Sequence, residues 1–215
     1  MRDIKLVKGE FYHVYNRGVD KRIIFQHRKD LDRFLESIEA FNTKENIGNL
    51  DRHSNKRKEG KLVDFIAYCI NPNHFHFIIT PSVSGGLEKF MHKLCMGYSK
   101  YFNAKYQRSG ALFQGKFKAT HIDSDEYLLH LSAYVNLNNE VHKHPGRSVS
   151  SWEEYRSDHV EGICNKDIVL DQFRNRDEYI KFAQETLRDI IKRKSSLRDV
   201  EMELLTPSVN MRSLK

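Results

Sequence analysis

The chain has 215 residues, the length of one domain with appendages or of two small ones. Its hydrophobic content of 39%, with 13 Phe and 10 Tyr, is enough for a real core. No apolar run approaches the roughly 20 residues that cross a bilayer. A formal net charge of +7 favours a polyanionic partner, nucleic acid before an anionic membrane, with a basic solvated surface as the plainer alternative.

In chain order, "EFYHVYNRG", ending in Gly18, is aromatic and β-branched and predicts a strand closed by a turn. "HRKDLDRFLESIEAFNTKEN" has Leu31, Phe34, Leu35, Ile38 and Phe41 at helical spacing. The polar stretch "IGNLDRHSNKRKEGKL" predicts a loop, with the basic "HSNKRK" either reaching DNA or lying in solvent. "VDFIAYCI" and "HFHFIIT" predict two strands, and Asn71-Pro72-Asn73 between them is turn chemistry, so the pair forms an antiparallel hairpin. "LEKFMHKLCMGYSKYFNAKYQ" predicts a second helix, "ALFQGKFKATHI" a fourth strand, and "DEYLLHLSAYVNLNNEVHK" a third helix capped by Asp123 or Ser124. A short segment at "SWEEYRSD" and a helix over "DQFRNRDEYIKFAQETLRDIIKRKSS" complete the pattern. The "RDIIKRK" in that helix reads as a solvated face or an added DNA clamp. Two βαβ-like halves on one sheet predict an α+β fold, a ferredoxin-like antiparallel sheet with two helices on one face. The other face is left for a ligand or for the extra helix.

Cys69, Cys95 and Cys164 are odd in number and lack metal-type spacing, so buried thiols in a reducing compartment are expected. "MRDIKLVKGE" has no apolar signal core, and a soluble, cytoplasmic protein with no membrane partner is the expectation.

Side chains alternate along a strand, so His74, His76, Ile78 and Thr80 share one face and Phe75, Phe77 and Ile79 the other. The phenylalanines suit packing under the two helices. The histidines then face away from them and can converge on one ion, or are simply two polar residues of a half-exposed strand. No cysteine or second histidine pair completes a zinc tetrahedron. Two histidines with an oxygen ligand suit Mg²⁺ or Mn²⁺ bound together with a phosphate. The third helix offers such an oxygen. In "YVNLNN", Tyr134 and Asn138 are four residues apart and share a helix face. Asn138 can ligate, and Tyr134 can attack a phosphodiester that the ion holds, conserving the bond energy in a covalent intermediate. A core tyrosine and a helix-ending asparagine are the plain alternatives.

On the fourth strand, Leu112, Gln114, Lys116 and Lys118 share one face, and the last three form a stripe able to hold phosphates or bases. Gly115 would let a strand approach closely, and Arg17 and Arg108 lie in turns suited to gripping a backbone.

"HVYNRG" with its following "IF", "NPNHFHFIIT", "SGALFQGKFKATHI", "LSAYVNLNN" and "SSWEEY" occur in this order. Together they resemble the single-tyrosine HUH transposases, in particular the REP-associated tyrosine transposase-like proteins, from about Phe11 to Tyr155. The resemblance implies a catalytic domain over residues 1–147 that binds single-stranded or hairpin DNA. Residues 148–215 would form a helical extension, partly disordered at its end. It implies His74 and His76 as metal ligands, Asn138 as the third, and Tyr134 as the nucleophile on the additional helix. Asn139 stands where proline is usual, which bears on how that helix ends. The implied protein is a bacterial or archaeal, metal-dependent DNA nicking and strand-transfer enzyme, monomeric or homodimeric. It works through a 5′-phosphotyrosine and needs no energy source, in keeping with the absence of a Walker-type loop. A catalytically inactive DNA-binding relative and a metal phosphoesterase using activated water are the alternatives.

Overall fold

The computed structural model describes residues 4–45, 60–141, 148–157, 159–160 and 162–196. The basic "HSNKRK" segment and the last residues of the chain lie outside them. β1 (Phe11–Arg17), α1 (Arg28–Phe41), β2 (Val63–Asn71), β3 (His74–Pro81), α2 (Gly86–Lys105) and β4 (Lys118–Ile122) follow one another. With β5 (Val149–Ser150), the sheet order is β4-β1-β3-β2-β5 and every pairing is antiparallel. The first four strands in this order, with a helix in each of two crossovers, make the expected ferredoxin-like α+β sheet.

The alternation of β3 divides the protein into two cores. Phe75, Phe77 and Ile79 pack with Phe34 and Ile38 of α1 and with Phe90, Leu94 and Tyr98 of α2. Each buried phenylalanine contributes roughly 2–3 kcal/mol. The opposite face is not left open. α3 (Asp125–Asn136) and, beyond the short α4 (Asn138–Val141), α5 (Trp152–Arg156) and α6 (Asp167–Leu170), the long α7 (Arg176–Ser196) cover it, so that Leu131, Tyr134 and Val135 meet Ala67, Cys69 and Ile78, with Tyr179 and Ala183 outside them. The register of β2 slips between Phe65 and Ala67. This bulge turns both Ile66 and Ala67 toward the second core.

α1 starts where the Asp30 carboxylate accepts the backbone N–H groups of Gln26 and His27, both at 2.9 Å. Asp30 is fully buried and also receives Lys105, Tyr101 and Tyr106 of α2 and its C-terminal turn, so one carboxylate ties the two helices together. Gly18 closes β1 at a crowded point, where a Cβ would lie 2.4 Å from the Arg22 carbonyl oxygen and 2.8 Å from Ile24.

Two expectations change. The strand over "ALFQGKFKATHI" is only Lys118–Ile122. Leu112 and Phe113 are core residues, tied to the end of β1 by the Gly18–Phe113 bridge and by Gln114 N–H to Arg17 O, 2.8 Å. Residues 114–117 leave the sheet between that bridge and the Tyr15–Lys118 pair. Leu112 therefore shares no face with Gln114, Lys116 and Lys118. Gly115 takes a φ of +71° in this turn, and no protein atom lies within 4 Å of a Cβ built on it. The third helix also breaks. α3 ends at Asn136, Leu137 leaves helical geometry, and α4 (Asn138–Val141) follows.

α3 is fixed at both ends. Only Asp123 and Ser124 separate it from β4, and Ser124 Oγ caps it by accepting Tyr127 N–H. At its far end Asn136 donates to the Tyr179 hydroxyl at 2.8 Å and accepts from Ser151 Oγ at 2.5 Å. Ser151 in turn accepts the Tyr68 N–H of β2 at 2.9 Å. This polar spine runs from α7 through α3 to the sheet. Among the described residues no helix is long and apolar enough to cross a membrane.

Candidate active site between the sheet and the third helix

His74 and His76 lie side by side on β3, ring centroids 5.1 Å apart and nearly perpendicular. Both are buried, at 5% and 1% exposure, because α3 lies over them. Tyr134 faces His76 edge-on with centroids 5.7 Å apart. The Asn138 side chain lies close enough to influence its hydroxyl, even though a helix break separates the two residues. Burial pushes the Tyr134 hydroxyl well above its ordinary pKa, and the nearby Asn138 side chain offsets this only in part. At neutral pH the hydroxyl is protonated.

Asn138 Oδ1 lies 3.4 Å from His74 Nε2. Asn71, the last residue of β2, donates its Nδ2 to both, at 2.6 Å and 3.0 Å. Its own oxygen accepts from Ser148 Oγ at 2.8 Å. Two ligands of one small hard cation at about 2.1 Å lie roughly 3 Å apart when adjacent. The His74–Asn138 separation fits that, and both atoms already converge on one neutral N–H donor, the Asn71 amide. Among the described residues no group of three or more His, Cys, Asp or Glu side chains is placed to hold a metal, so an ion here would depend on the Asn138 amide.

Two residues of the site escaped sequence reading. Asn71 looked like turn chemistry alone. His13, on β1, packs its ring against His76 with Nε2 2.9 Å from His76 Nδ1. Burial lowers the His13 pKa to about 3, so its ring is neutral. A strand of aromatic residues hides such a histidine, because only the β1–β3 register brings it to His76.

Arg17, Lys116 and Lys118 lie toward the β4 edge of the sheet. Lys118 lies over the Tyr15 ring, 5.9 Å from its centroid, and Tyr15 stacks beside His76. The Arg17 guanidinium bonds Gln114. Lys116 and Lys118, with Tyr15 and Asn16, line one wall of a groove of about 1440 Å³ whose other wall is α2. Arg108 belongs to the C-terminal turn of α2, bonded to Asn103 at 2.9 Å and lying over Phe102.

Sheet, covering helices and buried centre define an α+β protein of the ferredoxin-like class, with its polar site between the sheet and a third helix. The chain belongs to the IS200-like transposase family, whose model matches residues 12–138, from the first strand through Asn138. The fold is similar to the solved structure of a REP-associated tyrosine transposase bound to a REP hairpin. The likeness has a TM-score of 0.51 at 14% identity and covers 76% of this chain and 88% of that one. No curated protein sequence matches the chain.

Proposed function

We propose that this transposase cleaves and rejoins single-stranded or hairpin DNA through a covalent bond to Tyr134. The observation that supports the reading is the buried grouping of His74, His76 and Asn138, with the Tyr134 ring edge-on to His76. The hairpin held by its structural relative supports the same class of substrate. His74, His76 and Asn138 would hold Mg²⁺ or Mn²⁺, which would supply charge to polarise the scissile phosphate and stabilise the negative charge developing on it. Tyr134 Oη attacks phosphorus and gives up its proton. The bond to the 3′ oxygen breaks, that oxygen takes up a proton, and a 5′-phosphotyrosine remains. Attack by a 3′-hydroxyl reverses these steps, so the phosphodiester energy is conserved. Arg17, Gln114, Lys116 and Lys118 line the approach and hold the DNA backbone, with Arg108 gripping it further along.

The test is a denaturing gel of the protein with labelled, hairpin-bearing single strands and Mn²⁺. A band of protein joined to DNA is expected with Mn²⁺ and not with excess EDTA. His74→Ala is expected to lose both the band and Mn²⁺ binding. Binding without nicking under all conditions would favour an inactive DNA-binding relative. Nicking without any joined band would favour attack by an activated water.

A further inference from the structure

Resting on the reading of His74 as an ion ligand, we propose that Asn73 is a positioning residue that sets the imidazole tautomer of His74. A chain of hydrogen bonds with a forced direction carries this. The Lys21 carbonyl oxygen has no proton and only accepts, so Asn73 Nδ2 donates to it, at 3.1 Å, and the amide is oriented. The Asn73 oxygen then faces His74 Nδ1 at 2.6 Å. That oxygen also only accepts, so Nδ1 carries the proton. In the neutral ring the lone pair is left on Nε2, the nitrogen that faces Asn138.

The far side of the site gives the same direction independently. Ser148 Oγ donates to Asn71 Oδ1, which turns the Asn71 amide N–H groups toward His74 Nε2 and Asn138 Oδ1. A proton on Nε2 would meet that donor head-on. The frame behind Asn73 is rigid. Gly18 N–H donates to Asn73 O at 2.8 Å, and the Ile24 and Phe25 N–H groups donate to Pro72 O at 2.8 and 3.0 Å. The turn between β2 and β3 is thereby bolted to the turn that supplies the Lys21 carbonyl. A histidine without such an anchor prefers its proton on Nε2, which would cover the lone pair an ion needs.

Long-range ¹H–¹⁵N NMR on metal-free, ¹⁵N-histidine-labelled full-length protein reads which His74 nitrogen is protonated, with His74→Gln assigning the signal. The proton is expected on Nδ1. Asn73→Ala is expected to move it partly to Nε2, the Asn71 donor opposing a complete change, and to weaken Mn²⁺ binding, followed by EPR of free Mn²⁺, about tenfold. Asn73→Asp keeps the acceptor and is expected to keep the wild-type tautomer. A wild-type spectrum with the proton on Nε2, or an Asn73→Ala protein whose His74 still carries it on Nδ1, would overturn the assignment. The tautomer is read without metal, so a wild-type protein that fails to bind Mn²⁺ would remove the ion reading and leave this outcome separate.

Discussion

Tyr134→Phe is expected to abolish the protein–DNA adduct, a loss of at least about 1000-fold, while Mn²⁺ binding and the fold persist. The substitution removes one oxygen and keeps the ring. The ring's edge-on contact with His76 and its place in the second core therefore survive. What is lost structurally is one buried hydroxyl beside the Asn138 side chain. The denaturing gel gives the chemical result, and thermal unfolding gives the structural one. An adduct of wild-type yield from the phenylalanine protein would remove Tyr134 from the chemistry. The burial of this hydroxyl adds a requirement. Desolvation raises its pKa, so the chain alone does not generate a phenolate. An ion held by His74, His76 and Asn138 would supply the positive charge that favours a phenolate.

The largest expected loss of stability is elsewhere, at Asp30. Asp30→Ala removes a buried acceptor that serves two backbone N–H groups, two tyrosine hydroxyls and the Lys105 ammonium. Urea unfolding is expected to show a loss of about 3 kcal/mol, the low end for breaking a buried ion pair because Lys105 is partly exposed and rehydrates. Asp30→Asn, which keeps one acceptor oxygen, is expected to lose less. The pH dependence has a definite sign. Burial alone would raise the Asp30 pKa, but the bonds from Lys105, Tyr106, the His27 backbone and Tyr101 outweigh it and pull the carboxyl below its usual value. The folded pKa is thus below the unfolded one of about 3.9. The contribution is present in full above that value and is lost as pH falls through the folded pKa. The Asp30→Asn protein should lack this share of the acid sensitivity.

Local pattern made much of this legible. The period-two alternation of "HFHFIIT" separates histidines from phenylalanines, and Asn-Pro-Asn marks the hairpin, because both are properties of a few adjacent residues. The same holds for the helical spacing of Leu31, Phe34 and Ile38. What stayed hidden depends on distant partners. His13 reaches His76 only through strand register. Asn71 reaches Asn138 only because α3 and α4 lie across the end of β2. The histidine face reads as available until α7, a hundred residues downstream of the hairpin, closes over α3. The fourth strand was overextended for another reason. Residues 112–117 alternate like a strand, but the positive φ of Gly115 and the anchoring of Leu112 and Phe113 to Gly18 take that stretch out of the sheet.

The short span between β4 and α3 has a consequence for stoichiometry. Asp123 and Ser124 reach at most roughly 7 Å when extended. The helix that carries Tyr134 is thus confined to the sheet that carries His74, and the spine from Tyr179 through Asn136 to Ser151 clamps it there. Every proposed participant is encoded in a single polypeptide. Two defective copies, one lacking Tyr134 and the other His74, are expected not to lend each other the missing part. Their mixture is expected to give no adduct, and wild-type yield should rise linearly with protein concentration.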